Sequence, residues 1–346
     1  MKKSLTRKIL KYIGYILLLS LTIFLFKVLV PRTYNVRQIQ KGENIKYWDL
    51  STGSKIAYSI ISSKTEKKPY PIIYLHGGPA VPVSKRYINL LSQLSEDGYD
   101  IYFYDQVGCG ESNTLDDIEE YTAERHKKDL EEIVKKIGAE KVIIIGQSWG
   151  PMLATLFVAD NPEKVEKLIF TGPGPIIPVK NELANLPAPD SLHLKAPIFS
   201  HDDANLVTRN IRSQIVMFWA KKFGQRLASD KEANDFLLTL IDQTNKSLVC
   251  DTTKAPKAET NAGYYAQIMT INSFPKITDP RPKLKNSNIP LLLLKGQCDH
   301  QKWGFITEYL ELFPKHELVV IPNAGHGIPI EQPELFLKTI RSFLSK

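Results

Sequence analysis

The residues best able to do chemistry are a serine, an aspartate and a histidine that lie far apart in the chain. Ser148 stands within Gly146-Gln147-Ser148-Trp149-Gly150, after an apolar strand pattern and before a helical one. A serine between two glycines at such a junction predicts a nucleophile elbow, a turn that holds the hydroxyl above a sheet. A hydroxyl nucleophile needs a base, and the base needs an orienting acid.

The histidine and the aspartate are predicted from their places at the carboxyl ends of strands. His326 lies between two glycines just after the strand pattern at 317–321, and Asp299 directly follows the one at 290–295. Parallel sheets bind ligands in the loops at this end. We therefore expect His326 to be the base and Asp299 to orient it, with a surface histidine and a solvated turn aspartate as the alternatives.

A glycine pair provides a candidate oxyanion hole. His76-Gly77-Gly78-Pro79 follows the strand pattern at 71–75, and two glycines allow a backbone N–H to approach a ligand closely. The Gly78 N–H and the Trp149 N–H are the predicted oxyanion donors. The alternative is a plain tight turn in which His76 bonds locally.

The elements that must position these residues alternate along the chain. Ile45–Leu50 and Lys55–Ile61 read as a hairpin. Short apolar strands then alternate with helical patterns, which predicts a doubly wound, mostly parallel sheet in an α/β fold. The strands are Ile72–Leu75, Ile101–Tyr104, Val142–Ile145, Leu168–Thr171, Leu291–Leu294 and Leu318–Ile321, and the helices lie at 84–97, 119–138, 149–160, 302–313 and 331–344.

A long interval interrupts this alternation between the strands that end near Thr171 and begin near Pro290. It is too long for a structureless connection, and its middle has helical spacing. We expect residues 174–285 to form an inserted helical cap, and 42–173 with 286–346 to form the core.

Residues 1–41 are predicted to be a membrane anchor and a juxtamembrane segment. Tyr12–Val30 contains one charged residue, Lys27, and as a helix it would reach about 28 Å, close to the hydrocarbon thickness of a bilayer. A cleaved signal peptide and a buried helix are the alternatives. Five basic residues precede the span, which predicts a cytoplasmic N-terminus and a catalytic domain outside the cytoplasm.

The charge and the cysteines narrow the class further. The net charge is +8, but residues 1–41 hold nine basic residues and no acidic one, which leaves 36 basic against 37 acidic in the remainder. A body near neutrality argues against a nucleic-acid partner. The three cysteines, Cys109, Cys250 and Cys298, show no disulfide framework or zinc spacing.

These motifs together resemble the proline iminopeptidase family of α/β-hydrolases. The resemblance rests on His76–Pro79, on Asp105-Gln106-Val107-Gly108-Cys109-Gly110-Glu111-Ser112, on the elbow at Ser148, and on Asp299 and Gly325-His326. It implies an eight-stranded hydrolase core with a cap. It also implies a Ser-His-Asp triad that removes an N-terminal residue, often proline, from short peptides through an acyl-enzyme, with no metal or cofactor.

The chain departs from that family's pattern in three places. Ala80 stands where the family usually has glycine, Val107 stands where it has arginine, and Met269 stands where it has a glutamate for the substrate ammonium. A buried ammonium needs a carboxylate partner, so we name Glu232 and Glu259 as replacements. Trp219 and Met269 are further candidates for the substrate pocket.

The alternatives in function keep the same fold. One is an α/β-hydrolase that acts on a non-peptide ester, a lactone or a small amide. The other is a non-catalytic ligand-binding member, which an intact set of Ser148, Asp299 and His326 disfavours. In each case the expected partners are a small molecule or short peptide and a membrane, and the sequence does not choose the substrate.

Overall fold

A computed structural model describes residues 2–37, 45–199, 203, 206, 208–258, 261–285 and 287–346. Its centre is an eight-stranded sheet in the order β1-β2-β4-β3-β5-β6-β7-β8. The predicted eight-stranded, mostly parallel architecture is confirmed. The strands are β1 (Lys46–Asp49), β2 (Lys55–Ile61), β3 (Ile72–Leu75), β4 (Ile101–Tyr104), β5 (Val142–Gln147), β6 (Val165–Thr171), β7 (Leu291–Gly296) and β8 (His316–Ile321).

The first two strands form the predicted hairpin and supply the antiparallel edge of the sheet. β1 pairs with β2, and β2 with β4, in antiparallel fashion, whereas all later pairs are parallel. Leu50 N–H donates to Ser54 O at 2.9 Å and closes the turn between them. The parallel strands point their carboxyl ends to one edge, where β5, β7 and β8 are followed by the candidate residues.

Helices cover both faces of the sheet, because the strands alternate their apolar side chains between two cores. In β5, Ile144 packs into one core while Ile143 and Ile145 pack into the other. The first core receives α3 (Ala123–Ile137), α4 (Trp149–Asp160) and α9 (Trp303–Leu312). The second receives α2 (Lys85–Leu91) and α11 (Pro333–Leu344).

The interval between β6 and β7 combines irregular segments with helices. It holds α5 (Ile211–Phe223), α6 (Asp230–Thr244), α7 (Tyr264–Ser273) and the short α8 (Arg281–Leu284). A further short helix, α10 (Ile328–Glu331), follows the loop after β8. We use the name cap for residues 174–285, and the segment Ser247–Asp251, which follows α6, is called the cap strap below.

The N-terminal helix α1 (Lys2–Leu29) is the one described helix whose length and composition would allow it to cross a membrane. Its Arg7–Leu29 portion has a mean hydropathy of 2.1. Its C-terminal end is not isolated, because Val28 is buried and its carbonyl oxygen accepts a hydrogen bond from Arg212 of α5. The Arg32 N–H then donates to Glu232 Oε1 at 2.9 Å. The cap therefore holds the end of this helix.

Candidate active site

Ser148 occupies a strained turn between β5 and α4. Its backbone has φ 58° and ψ −103°, a positive-φ conformation outside the favoured regions that costs free energy for any residue with a side chain. The flanking glycines permit this turn. A Cβ at Gly146 would lie 2.8 Å from the Pro151 nitrogen, and one at Gly150 would lie 2.2 Å from the Leu75 oxygen. The local geometry is that of a nucleophile elbow.

Asp299 and His326 are brought together by the adjacent strands β7 and β8. His326 Nδ1 lies 2.9 Å from Asp299 Oδ1, and both side chains are buried. Gly172, after β6, closes the space behind them, since a Cβ there would lie 2.7 Å from His326 Nδ1. Because the carboxylate accepts from Nδ1, the Nε2 atom is left to exchange protons.

Burial and three neighbouring basic side chains act in opposite directions on the pKa of the Asp299 carboxyl. Burial raises its pKa, but Lys295, His326 and His300 more than compensate and hold the pKa well below its ordinary value of 3.8. The Lys295 ammonium lies 3.5 Å from Oδ2. Asp299 is therefore a carboxylate at neutral pH, the form that can orient an imidazole and support its positive charge.

The nucleophile and the base share a cavity of about 660 Å³. Both Ser148 and His326 line it, together with Gly77 and Gly78. No hydrogen bond joins Ser148 Oγ to the imidazole in the structure. Catalytic hydrogen bonds are often long before substrate binds and shorten in the complex. The structure thus places the three predicted residues at one site and directly links two of them.

The glycine-rich loop after β3 lies beside Ser148 and lines the same cavity. Gly78 has φ 117°, and a Cβ at Gly77 would lie 3.1 Å from Ser148 Cβ, so the loop backbone runs beside the nucleophile. The Trp149 N–H begins α4 and has no carbonyl one turn before it to accept its proton. Both donors predicted from the sequence therefore border the position of Ser148.

His76 has a structural task in this loop. Its Nδ1 lies 2.9 Å from Gly77 O, and its Nε2 accepts from the Gln106 N–H at 2.9 Å. Burial lowers the pKa of His76 to about 4, although the Gly77 hydrogen bond opposes this. The imidazole is therefore neutral at pH 7, with Nδ1 as donor and Nε2 as acceptor. His76 thus links the loop with Gly77 and Gly78 to the turn that begins at Gln106.

The turn that contains Cys109 contacts the nucleophile elbow through Gln106. Gln106 Oε1 accepts from Trp149 Nε1 at 2.8 Å, and the Cys109 thiol lies 3.2 Å from Gln106 O. Burial raises the pKa of Cys109 well above its ordinary value. A buried thiol of this kind is inert.

Three of the four substrate-pocket candidates lie elsewhere, and these expectations are corrected. Glu232 pairs with Arg212 in a buried ion pair, with Nη2–Oε2 at 2.7 Å. Trp219 packs on Phe223 of its own helix, with ring centroids 4.5 Å apart. Met269 is buried, outside the cavity lining. The fourth candidate, Glu259, lies outside the described residues.

The orientation of α7 explains the error at Met269. Gln267 and Ile271 of that helix line the cavity, four residues apart and hence on one face. Met269 lies midway between them, about 200° around the helix at 100° per residue, so it points into the cap core. The family resemblance located the correct helix, and the helix presents a different face.

Sequence reasoning missed the residues that form the cavity wall. Leu237, Leu240 and Ile241 of α6 line the cavity and follow the three-to-four-residue spacing of a helix face. That spacing was visible in the sequence, but it is equally typical of ordinary core packing. The charged side chains among the described lining residues are Arg86 and Lys257, and none of these lining residues is a carboxylate.

A disulfide in the cap strap was also missed, because the spacing of the cysteines does not indicate it. Cys250 is bonded to Cys298, the residue before Asp299. The strap bonds to the histidine loop as well, since Leu248 O accepts from the Gly327 N–H at 2.8 Å. The Glu331 carboxylate accepts from the N–H groups of Cys250 and Gly325, both at 2.9 Å. The cap strap therefore holds both the loop with Asp299 and the loop with His326.

The acid and base also belong to a cluster that a metal ion could use. Donor atoms of Asp299, His300 and His326 lie within 4.8 Å of one another. The hydrogen bond between Asp299 and His326 occupies two of these donors, and the adjacent Lys295 ammonium would repel a cation. The arrangement fits an acid–base pair better than a metal centre.

Comparisons with known proteins identify the fold family of the chain. The family profile described as the alpha/beta hydrolase fold matches residues 70–333. A proline iminopeptidase of Lactobacillus helveticus (strain DPC 4571) is 40% identical over 122 residues, which are 34% of this chain and 40% of that protein. The chain thus spans about two fifths of the length of that relative. A proline iminopeptidase of Heyndrickxia coagulans is 27% identical over 286 residues, 80% of this chain and 90% of that protein.

Solved structures are similar in fold. An esterase from Exiguobacterium antarcticum has a TM-score of 0.59 at 20% identity, covering 87% of this chain and 99% of its own. A proline iminopeptidase of Mycobacterium smegmatis has a TM-score of 0.54 at 19% identity, covering 89% and 97%. At these identities the likeness concerns the fold alone.

Proposed function

The chain belongs to the α/β-hydrolase family, and from this premise we propose that it is a serine hydrolase in which Ser148, His326 and Asp299 form the catalytic triad. The observation that carries the proposal is the Asp299–His326 hydrogen bond, at the same cavity as the strained Ser148. This hydrogen bond supports the role of His326 as the base, because it leaves Nε2 as the imidazole atom that can accept the serine proton.

The reaction then follows two acyl-transfer steps. Ser148 Oγ attacks the substrate carbonyl carbon and passes its proton to His326 Nε2, while the N–H groups of Gly78 and Trp149 stabilise the oxyanion. The tetrahedral intermediate expels the leaving amine or alcohol, which takes the proton from His326. Water, deprotonated by His326, hydrolyses the acyl-enzyme in the same manner. Asp299 holds the imidazole in place and stabilises its charged form.

The leading substrate class is a short peptide from which the enzyme releases an N-terminal residue of the proline type. This proposal rests on the curated relatives named proline iminopeptidase and on the sequence motifs. Such a substrate presents an ammonium group, for which Glu259 stays the proposed partner. The Glu259→Gln variant should raise KM for a free-amine substrate and leave KM for its acetylated counterpart unchanged.

A second candidate is a non-peptide ester, lactone or small amide. It is favoured by the walls of the cavity, which are largely apolar and, among the described lining residues, carry no carboxylate. A substrate without a free ammonium would fit such walls without the large cost of desolvating a charged group. Free and N-acetylated prolyl anilides separate the two candidates. A strong preference for the free amine supports the aminopeptidase, whereas equal rates would refute it.

The test of the triad is labelling by a fluorophosphonate, which reacts with activated serines. The wild type should be labelled, and Ser148→Ala should not. Ser84 also lines the cavity and caps α2 through its side chain, so Ser84→Ala is the matched control and should keep its label. If the wild type is not labelled, the non-catalytic alternative gains and the triad proposal fails.

We also propose that α1 anchors the enzyme in a membrane with its N-terminus in the cytoplasm. The length and hydropathy of Arg7–Leu29 support the anchor, and the five basic residues before the apolar stretch support the orientation. The Cys250–Cys298 disulfide supports a catalytic domain outside the cytoplasm, because disulfides persist mainly in oxidising compartments. Protease protection in right-side-out vesicles would test the orientation, and a protected catalytic domain would contradict it.

A further inference from the structure

Lys295 is a buried lysine beside the candidate catalytic acid. It follows four leucines in β7, and its side chain is 2% exposed. Its ammonium donates to Gln301 O at 2.9 Å and lies 3.5 Å from Asp299 Oδ2. Lysines are rarely buried in full, because desolvating an ammonium is costly unless a carboxylate lies close by. An apolar residue would continue the leucine pattern of this strand without that cost.

The two oxygens of Asp299 have different partners. Oδ1 accepts from His326 Nδ1 at 2.9 Å and from the Gln301 N–H at 3.0 Å. Oδ2 is buried and accepts no hydrogen bond from the described residues. Its nearest charged group is Lys295. The ammonium is therefore placed to hold one carboxylate oxygen while the other faces the imidazole.

We propose that Lys295 is a positioning residue for the catalytic acid, and that its charge keeps the Asp299 carboxylate oriented and sets the pH range in which His326 acts as a base. The inference rests on the proposed triad and adds a fourth member behind it. Gln301 is part of the same arrangement, because its backbone carbonyl binds the lysine while its N–H binds Asp299 Oδ1.

The direction of the effect follows from the charges around Asp299. An imidazolium at His326 is stabilised by the carboxylate, and the lysine ammonium partly cancels that negative charge. Removal of the ammonium therefore favours the protonated imidazole, which is inactive as a base, up to a higher pH. The other titratable ring at this site is His300, whose centroid lies 4.4 Å from that of His326. The Glu331 carboxylate of α10 accepts a hydrogen bond from the backbone of the histidine loop, and this contact does not involve Lys295.

The experiment measures the rate of fluorophosphonate labelling of the full chain in detergent from about pH 4 to about pH 9. Because the Lys295 ammonium lies 3.5 Å from the carboxylate that binds His326, removing its charge should move the acidic limb of the profile upward by about one pH unit. On the low side of the limb, Lys295→Met would then react about tenfold more slowly than the wild type. Lys295→Gln is the second variant, because it retains a donor for Gln301 O and should show the same shift.

A matched control separates positioning from packing. Leu293 is buried two residues earlier on the same face of β7, and Leu293→Ala should lower thermal stability without moving the acidic limb. If a folded Lys295→Met or Lys295→Gln variant has the wild-type limb, the inference is refuted. If the wild type does not react at any pH, the proposed triad itself fails, which is a separate result.

Discussion

Removal of the Cys250–Cys298 disulfide should both destabilise the enzyme and slow it. The bond joins residues 48 apart in the sequence. In the chain-entropy treatment, a disulfide that closes a loop of about this length raises the free energy of the unfolded chain by about 4 kcal/mol at 25 °C, and its removal lowers the free energy of unfolding by that amount. With an unfolding entropy of about 2 cal/mol/K per residue over about 300 residues, this loss lowers Tm by about 6 °C.

Activity should also fall, because the disulfide bonds the cap strap to the residue before Asp299. The other bonds of the strap, from Leu248 O to the Gly327 N–H and through Glu331 to Gly325, are unaffected by reduction. The histidine loop therefore stays held while the aspartate loop loses its covalent tie. We expect fluorophosphonate labelling to slow by about tenfold, since small misplacements of catalytic groups have effects of this order.

The assay compares the wild type with a Cys250→Ser/Cys298→Ser double variant, both as full chains in the same detergent. Tm is followed by circular dichroism with and without a thiol reductant. The reductant should lower the Tm of the wild type by about 6 °C and leave that of the double variant unchanged. Three free thiols in the unreduced wild type, or a double variant within about 1 °C of the wild type, would refute the reasoning.

Three more predictions test other parts of the structure. Glu232→Gln leaves Arg212 buried without its carboxylate partner and should lower the free energy of unfolding by about 3 kcal/mol. A Glu232→Gln/Arg212→Met double variant should recover most of this loss, because it also removes the buried charge. Equal destabilisation of both variants would contradict this. Ala80 has φ 57°, so Ala80→Gly should raise stability by about 1 kcal/mol in denaturant unfolding, and a loss of stability would show that the methyl group matters more than the strain. Burial raises the pKa of Asp129 to about 6 from 3.8, so its stabilising contribution is complete below about pH 4 and is lost as the pH rises through about 6. Asp129→Asn should therefore be less destabilised relative to the wild type at pH 7 than at pH 4, and an equal difference at both pH values would refute that reasoning.

The sheet and the positions of the loops with Ser148, Asp299 and His326 could be predicted because their signals are local. The Gly-Ser-Gly turn at Ser148 needs only its own neighbours to be recognised, and its φ of 58° is the strain that those glycines allow. Asp299 and His326 could be paired because parallel strands end at one edge of a sheet. Ala80 is informative in the same way. The family's glycine at this position corresponds to a left-handed backbone, which this chain retains with alanine.

The cap could not be predicted to the same depth, because its contacts depend on how helices pack. Met269 and Glu232 lie on helices that do contribute to the cavity, but other faces of those helices line it. Cys250 and Cys298 are brought together only when the cap strap crosses the loop after β7. Neither a helix rotation nor a crossing of this kind leaves a spacing in the sequence.

The basic N-terminal segment acquires a second role from these contacts. Arg32 and Arg37 belong to the residues that give the chain its positive charge, yet both bind the cap, since the Arg32 N–H donates to Glu232 and Arg37 lies 3.8 Å from Asp242. Both partners are on α6, the helix whose Leu237 forms part of the cavity wall. Five residues of helix separate Glu232 from Leu237, or about 8 Å. The end of α1 is therefore joined to the cavity wall through α6, and under the proposed membrane anchor these contacts would set how far the cavity lies from the membrane.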